Sequence, residues 1–227
     1  MANRRALGMV IGVVAMAWST VAIAAGGGGL GPDAALQKLI AGNKRFVQFR
    51  IKHRFLTISE TRAKLVQGQK PYAIILSCSD SRVPPEIVFD ETLGQLFVVR
   101  VAGNVVDPVV LGSIEYGVGH LGSSLIMVLG HEACGAVTAA MDATGKTEGN
   151  IAAILDVIMP AVHEVRDTMA GKNRPDQVAA AIERNIDLQA ENLTRQSPII
   201  KDYVDQGKVK IVKGEYHLRH GEVTLLK

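Results

Sequence analysis

Two hydrophobic patterns alternate along the chain. Short uninterrupted apolar runs, typical of strands buried on both faces of a parallel sheet, lie between segments whose apolar residues recur every three or four positions, as in amphipathic helices. The runs predict strands at 72–76, 96–102 and 124–130. The longer spacing predicts helices at 109–119, 134–141, 150–170 and 176–193, and a helical pattern from 33 to about 67 in which a second helix runs from 59 to 66.

Residues 208–227 instead alternate between apolar and polar positions. This pattern predicts a strand followed by a hairpin turn near 219–221. Strands alternating with helices predict an α/β fold with a mostly parallel central β-sheet flanked by helices, and the last segment adds a C-terminal edge strand and hairpin. Ligands bind beyond the carboxyl ends of the strands in such sheets, so residues at those ends are the first candidates for chemistry.

The first 24 residues have the features of a targeting segment. Arg4 and Arg5 precede an apolar stretch at 7–23, which ends in small residues. We therefore predict a cleavable signal peptide at 1–24, with a periplasmic or secreted location after cleavage. A membrane anchor is the alternative, although this stretch is short for one and a glycine run follows it. After cleavage we expect no stable membrane anchor.

The remaining chain has the composition of a globular domain. The 227 residues are 48% apolar, 21% charged and only 4% aromatic, which indicates an aliphatic core. We expect a flexible glycine-rich segment at 25–32 and a single domain at 33–227. The net charge of +3 is slight and no basic stripe with interleaved aromatic residues is present, so nucleic acid is rejected as a partner.

Two cysteines and a histidine are the main candidates for chemistry. Cys78 and His131 each follow a predicted strand directly, which places them at the same edge of the sheet. His131 and Cys134 are three residues apart, so they project from one face if they lie on the first turn of a helix. Zinc favours such thiolate and imidazole ligands in tetrahedral geometry, and three protein ligands leave the fourth position open, as in catalytic sites.

Three roles without a metal are also open to these residues. A buried cysteine is often a small apolar side chain, and an oxidising compartment permits a Cys78–Cys134 disulfide. A Cys78–His131 nucleophile pair is the third role, although it leaves Cys134 without a function.

Asp80 and Arg82 favour the metal site over these alternatives. Burying both beside Cys78 is costly unless they are paired, and the following Val-Pro-Pro predicts a rigid apolar turn against the same site. A surface loop would account for two charged residues more simply. Beside a metal, however, the acid accepts a hydrogen bond from the bound water and the arginine holds the acid in place.

The segments Cys-Ser-Asp-Ser-Arg and Gly-His-Glu-Ala-Cys-Gly together resemble the β-class carbonic anhydrases. The resemblance covers 34–227 and implies an α/β fold in an obligate dimer or higher homo-oligomer. It also implies reversible hydration of carbon dioxide to bicarbonate and a proton by a zinc-bound hydroxide. It assigns one Zn²⁺ per chain to Cys78, His131 and Cys134, and it assigns the catalytic Asp–Arg dyad to Asp80 and Arg82. The family has this dyad paired in its open form, whereas in its closed form the aspartate binds the zinc.

Four looser matches concern the substrate pocket. Gln69 matches a donor to the substrate, Phe97 and Tyr116 match pocket positions contributed across the dimer interface, and Gly135 matches a small residue that lines the pocket. His120 is the candidate for carrying the proton away, or else a histidine satisfied at a helix end.

Two positions depart from family patterns. Ile75 stands where members with an inhibitory bicarbonate site carry tryptophan, and the one tryptophan here is Trp18, so that site is expected to be absent. Val101 stands at a usual asparagine position in the loop near the pocket. Two alternative functions stay open: a carbonyl sulfide or carbon disulfide hydrolase on the same scaffold, and a non-catalytic protein with a Cys78–Cys134 disulfide.

Overall fold

The computed structural model describes residues 29–52, 59–145 and 149–227. The predicted signal peptide and residues 25–28 of the predicted glycine-rich segment lie outside these ranges, so both stay predictions. Within the described ranges, no helix combines the length and the apolar character needed to cross a membrane.

A five-stranded sheet in the order β2-β1-β3-β4-β5 forms the centre of the fold. The pairs β1–β2, β1–β3 and β3–β4 are parallel, and β5 pairs antiparallel with β4 at the edge. All residues of β1 and β3 are buried, as their uninterrupted apolar sequences predict. The predicted α/β fold with a C-terminal edge hairpin is therefore confirmed. The strands are β1 Ala73–Ser77, β2 Leu96–Arg100, β3 Leu125–His131, β4 Lys210–Tyr216 and β5 Val223–Leu225.

Eight α-helices of the described chain surround the sheet, and several begin where the sequence carries a start signal. The side chains of Asp107, Asn173 and Ser197 accept hydrogen bonds from backbone N–H groups in the first turns of three of these helices. The helices are α1 Pro32–Val47, α2 Ser59–Leu65, α3 Pro85–Val88, α4 Pro108–Gly119, α5 Gly135–Asp142, α6 Ile151–Thr168, α7 Arg174–Gln196 and α8 Pro198–Asp205, and a 3₁₀ turn covers Ala102–Asn104.

Two predicted elements differ from the structure, and one helix was not predicted. The helical pattern from 33 to about 67 is interrupted after Val47, where Phe49 takes a left-handed φ of 56° that ends the helix. The predicted Val-Pro-Pro turn continues into the short helix α3, because proline is well tolerated at a helix start. Helix α8 is not predicted, although Ser197 followed by proline is a typical start signal.

The predicted hairpin turn is confirmed between β4 and β5. Gly221 has a φ of 72° and donates its backbone N–H to the carbonyl of His217 at 2.8 Å. Because β4 runs parallel to β3 and pairs Tyr216 with His131, His217 lies at the carboxyl end of β3, where the candidate site lies.

Candidate metal centre

The structure brings Cys78, His131 and Cys134 together at the carboxyl edge of the sheet. Cys78 follows β1, His131 is the last residue of β3, and Cys134 precedes α5. Because β1 and β3 are adjacent and parallel, they deliver the first two side chains to the same place. One potential ligand atom from each of the three residues lies within 4.8 Å of the other two, and all three residues are buried.

His131 and Cys134 do not share a helical turn, which was one expected way of placing them on one face. Instead, Ala133 has a left-handed φ of 50°, and α5 begins only at Gly135. The chain therefore turns sharply after β3, and this turn folds Cys134 back towards His131. No sequence signal marked the turn, since alanine rarely adopts this conformation.

The His131 ring is oriented by the backbone. Its Nδ1 lies 2.9 Å from the carbonyl oxygen of Glu132, which can only accept, so Nδ1 carries the proton. Its Nε2 is buried and has no hydrogen-bond partner among the described residues. A free lone pair on one ring nitrogen and a carbonyl on the other is the usual arrangement of a histidine that binds a metal.

The two thiols are tightly coupled. Hydrogen bonding from the Cys134 thiol lowers the pKa of Cys78 well below that of a free thiol against the opposing effect of burial, and the backbone N–H groups of Asp80 and Gly103 lower it further. The same hydrogen bond, together with burial, raises the pKa of Cys134. Both cysteines are free rather than joined by a disulfide.

This set of donors fits Zn²⁺. Two sulfurs and one unpartnered imidazole nitrogen, all buried, are ligands that zinc prefers, and a dication would stabilise both thiolates at once. In the described chain no further cysteine, histidine or carboxylate joins the cluster, which leaves a fourth coordination position open.

Asp80 and Arg82 form a two-pronged ion pair at the rim of the cluster. Arg82 donates from Nε to Oδ1 at 2.9 Å and from Nη2 to Oδ2 at 2.7 Å, and its backbone N–H also donates to Oδ1 at 2.9 Å. The Arg82 guanidinium holds the pKa of Asp80 well below its usual range. Asp80 Oδ2 lies 3.9 Å from His131 Nε2, so the carboxylate is paired with arginine yet lies close to the metal ligands.

Arg100, which no sequence pattern singled out, holds the loop carrying these groups. From the end of β2, its Nε donates to the carbonyl of Cys78 at 2.9 Å and its Nη2 donates to the carbonyl of Asp80 at 2.6 Å. In the parallel register Arg100 lies beside Ser77, so its guanidinium can reach the loop that follows β1. Its position near the carboxyl end of the predicted strand at 96–102 was the one available signal.

A row of buried amides on α7 supports the cluster from the other side. Asn185 donates to the carbonyl of Gly103 at 2.9 Å, and Gln189 donates to the Asn185 side chain at 3.0 Å. Gly103, with a φ of 69°, in turn donates its N–H to Cys78 Sγ at 3.3 Å. This loop forms although Val101 replaces the usual asparagine. The signal for the amides was their spacing along the buried, otherwise apolar face of α7.

Glu132 links the metal-site turn to the C-terminal hairpin. Its Oε1 lies 2.8 Å from His217 Nδ1, and its Oε2 accepts from the backbone N–H of Leu218 at 2.9 Å. His217 is only partly exposed and also contacts Thr224, whereas His220 is exposed.

The predicted pocket residues lie on separate elements. Phe97 on β2 and Tyr116 on α4 have ring centroids 6.3 Å apart, and Tyr116 stacks on His120 at 5.0 Å. Gln69 is exposed beside α2, and Gly135 is the exposed first residue of α5. Within the described chain, no hydrogen bond or ring contact links Gln69, Phe97 or Tyr116 to the three candidate metal ligands.

Arg100→Met is expected to lower zinc affinity about 10- to 100-fold, the usual effect of removing a group that orients metal ligands. The carbonyls of Cys78 and Asp80 would lose their donors, and the ligand loop would lose its fixed position. Competition with a chromophoric chelator measures the affinity. Arg219→Met, which removes an exposed guanidinium from the hairpin, is the matched control. Equal zinc affinity in both variants would show that Arg100 does not orient the site.

Comparisons with known proteins agree on one family. A family model described as carbonic anhydrase matches residues 73–223. The carbonic anhydrase of Mycolicibacterium smegmatis is 41% identical over 86% of this chain and 93% of its own length. Carbonic anhydrase 2 of Mycobacterium tuberculosis is 40% identical over 86% of this chain and 92% of its own length.

Solved structures show the same fold. The β-carbonic anhydrase CcaA matches with a TM-score of 0.69 at 27% identity, over 85% of this chain and 87% of that chain. The Coccomyxa β-carbonic anhydrase in complex with acetazolamide matches with a TM-score of 0.66 at 29% identity, over 84% and 86%.

Proposed function

The chain belongs to the β-class carbonic anhydrases, and we propose that it hydrates carbon dioxide reversibly with one Zn²⁺ held by Cys78, His131 and Cys134. The family assignment makes the protein an enzyme, a lyase, and excludes the alternative of a non-catalytic protein. The observation that carries the proposal is the buried cluster of three ligands with the paired Asp80 beside it.

In this proposal each group of the site has one task. Zinc, when bound, would lower the pKa of a water molecule in its open position and so supply a nucleophile near neutral pH. Asp80 would accept a hydrogen bond from the attacking water and orient it towards carbon dioxide. Arg82 keeps Asp80 ionised, and its hydrogen bond to the carbonyl of Ala133 at 3.3 Å fixes the pair against the metal-site turn.

The direct test is the rate of carbon dioxide hydration in stopped flow, measured on zinc-loaded protein beside the rates of carbonyl sulfide and carbon disulfide hydrolysis. The three reactions use the same metal and dyad and differ in the access of the substrate. Hydration of carbon dioxide is expected to be fastest. Faster hydrolysis of either sulfur compound would show that the protein is instead a hydrolase with the same fold.

Turnover is expected to rise with pH between about 6 and 9, the range in which the attacking water must lose its proton. Cys78 and Cys134, as zinc-bound thiolates, would place two negative charges beside this water, so its pKa should be higher than in a site of three neutral imidazoles. Asp80 does not contribute to the rise, because its pKa is lowered and it is ionised throughout this range. Stopped-flow rates in buffers of constant ionic strength measure the profile. A flat profile would contradict this assignment of the nucleophile.

We also propose a homodimer, or a larger assembly built from it, in which Gln69, Phe97, Tyr116 and Gly135 complete the pocket as the family resemblance implies. Its support in this chain is that Tyr116 is 48% exposed and Val109, on the same helix α4, is 78% exposed. An exposed apolar and aromatic helix surface is typical of an interface between subunits.

A heterodimer of Asp80→Asn and Tyr116→Ala chains tests this sharing of the pocket. If Tyr116 serves the partner's site, one site of the heterodimer regains both native residues, and activity should recover to about half of wild type by the symmetry of a two-fold dimer. Two differently tagged chains purified in tandem provide the sample. Activity as low as that of the two variant homodimers would show that Tyr116 does not act across an interface.

A further inference from the structure

A second cavity lies beside the turn between His131 and Cys134. It has a volume of about 560 Å³, which is in the range of small-molecule sites. Its walls come from α5, the first turns of α7, the metal-site turn and the end of β4. Neither the proposed metal site nor the proposed substrate pocket uses it. Its lining includes Glu132, Arg174, Pro175, Val178, Ile182 and Glu215.

One face of the cavity is apolar and the opposite side carries a buried carboxylate. Pro175, Val178, Ala179 and Ile182 lie along α7 and form the apolar face. The side chain of Glu215, from β4, makes no hydrogen bond or ion pair within the described chain, and the residue is only 7% exposed. A largely buried carboxylate that reaches the cavity without a protein partner is poorly solvated, which points to a ligand that supplies the missing partner.

The charged groups around Glu215 determine which sign of charge a ligand in the cavity must carry. Burial raises the pKa of Glu215 most, His217 lowers it, the nearby carboxylates of Glu183 and Glu132 raise it, and His131 lowers it. At the rim, Arg174 is already paired with Asp142. The field around Glu215 therefore favours a cation and disfavours an anion.

Metal ions and neutral molecules fit the cavity less well. No cluster of metal ligands forms here among the described residues, and one carboxylate among apolar side chains does not meet the coordination needs of a metal ion. A neutral apolar molecule would leave Glu215 desolvated and still without a partner. Glu132 is already engaged by His217 and Leu218, so Glu215 is the group left for the ligand.

We propose that this cavity binds a small organic monocation, with an ammonium group on Glu215 and an apolar body against Val178, Ala179 and Ile182. The ammonium donates the hydrogen bond that Glu215 lacks, and the apolar body covers the α7 face. This proposal does not depend on the proposed function, because binding is measured directly and without turnover.

Benzylammonium titrated calorimetrically into the zinc-loaded full chain tests the proposal, with benzyl alcohol as the uncharged probe of similar shape. Wild-type protein and Glu60→Gln, which removes an exposed carboxylate from α2, are expected to bind benzylammonium equally. Glu215→Gln removes the charge and keeps the shape, and Ala179→Phe fills the cavity from an exposed helical position. Each should weaken binding at least about tenfold, which corresponds to 1.4 kcal/mol.

Three results would overturn the proposal. The first is no heat of binding to wild-type protein at millimolar benzylammonium, and the second is benzyl alcohol binding as tightly as benzylammonium. The third is unchanged affinity in Ala179→Phe, which would place the amine elsewhere, for example on the zinc. Zinc content and circular dichroism of each variant verify folding, and if Glu215→Gln does not fold, the Ala179→Phe result decides alone.

Discussion

Cys78→Ser is expected to lose zinc and to reduce carbon dioxide hydration at least about a thousandfold, since enzymes usually accelerate their reactions by more than 10⁶. A serine hydroxyl stays protonated near neutral pH, so the site would keep one thiolate and one imidazole. The hydrogen bond from Gly103 and the carbonyl contact with Arg100 cannot replace the missing sulfur. Zinc per chain by mass spectrometry, measured together with the hydration rate, gives the result.

Ser79→Ala is the matched control for this substitution. Ser79 is the next residue along the same loop and is exposed, so its removal should leave both zinc content and turnover unchanged. Full zinc content in Cys78→Ser would show that Cys78 is not a zinc ligand. A loss of zinc in Ser79→Ala as well would mean that the loop, rather than the sulfur, determines binding.

Asp80→Asn is expected to lower turnover about 100-fold with no loss of zinc, a typical magnitude for a group that handles a proton. The carboxylate uses both oxygens on Arg82 and still has lone pairs for the attacking water. An amide in its place has one oxygen, which Arg82 would occupy, and would present an N–H₂ group to the water. Stopped-flow turnover and zinc content are measured on the same sample.

Asp107→Asn is the control for the loss of one carboxylate, because asparagine also caps a helix and Asp107 only caps α4. Near-normal turnover of Asp80→Asn would show that Asp80 has no role in catalysis. A parallel loss of zinc would instead make Asp80 a residue that holds the metal site together.

The parts of the fold that follow from local pattern were predictable from the sequence. Strands β1 and β3 are uninterrupted apolar runs, and Cys78 and His131 stand at their ends, so the rule that ligands bind beyond parallel strands brought the two residues together. Cys134 is close to His131 along the chain. The three metal ligands could therefore be predicted without knowing any contact between residues that are far apart in the sequence.

The supporting groups could not be selected in this way. Arg100 reaches carbonyls 20 and 22 positions away, and Asn185 reaches Gly103 across 82 positions, so neither contact leaves a local pattern. The left-handed Ala133 that folds Cys134 back has no signature, because alanine gives no turn signal. Glu215 was missed for a related reason, since an acid in an alternating strand predicts a solvated face rather than a buried one.

We propose that one zinc ion per chain, held by Cys78, His131 and Cys134, gives this protein its carbonic anhydrase activity. Titration of zinc into metal-free protein, followed by the rate of carbon dioxide hydration, tests it most directly. We expect no catalysis without zinc, a linear rise with added zinc, and a plateau at one equivalent per chain. Catalysis by the metal-free protein, or a protein that takes up one zinc per chain without gaining activity, would contradict the claim.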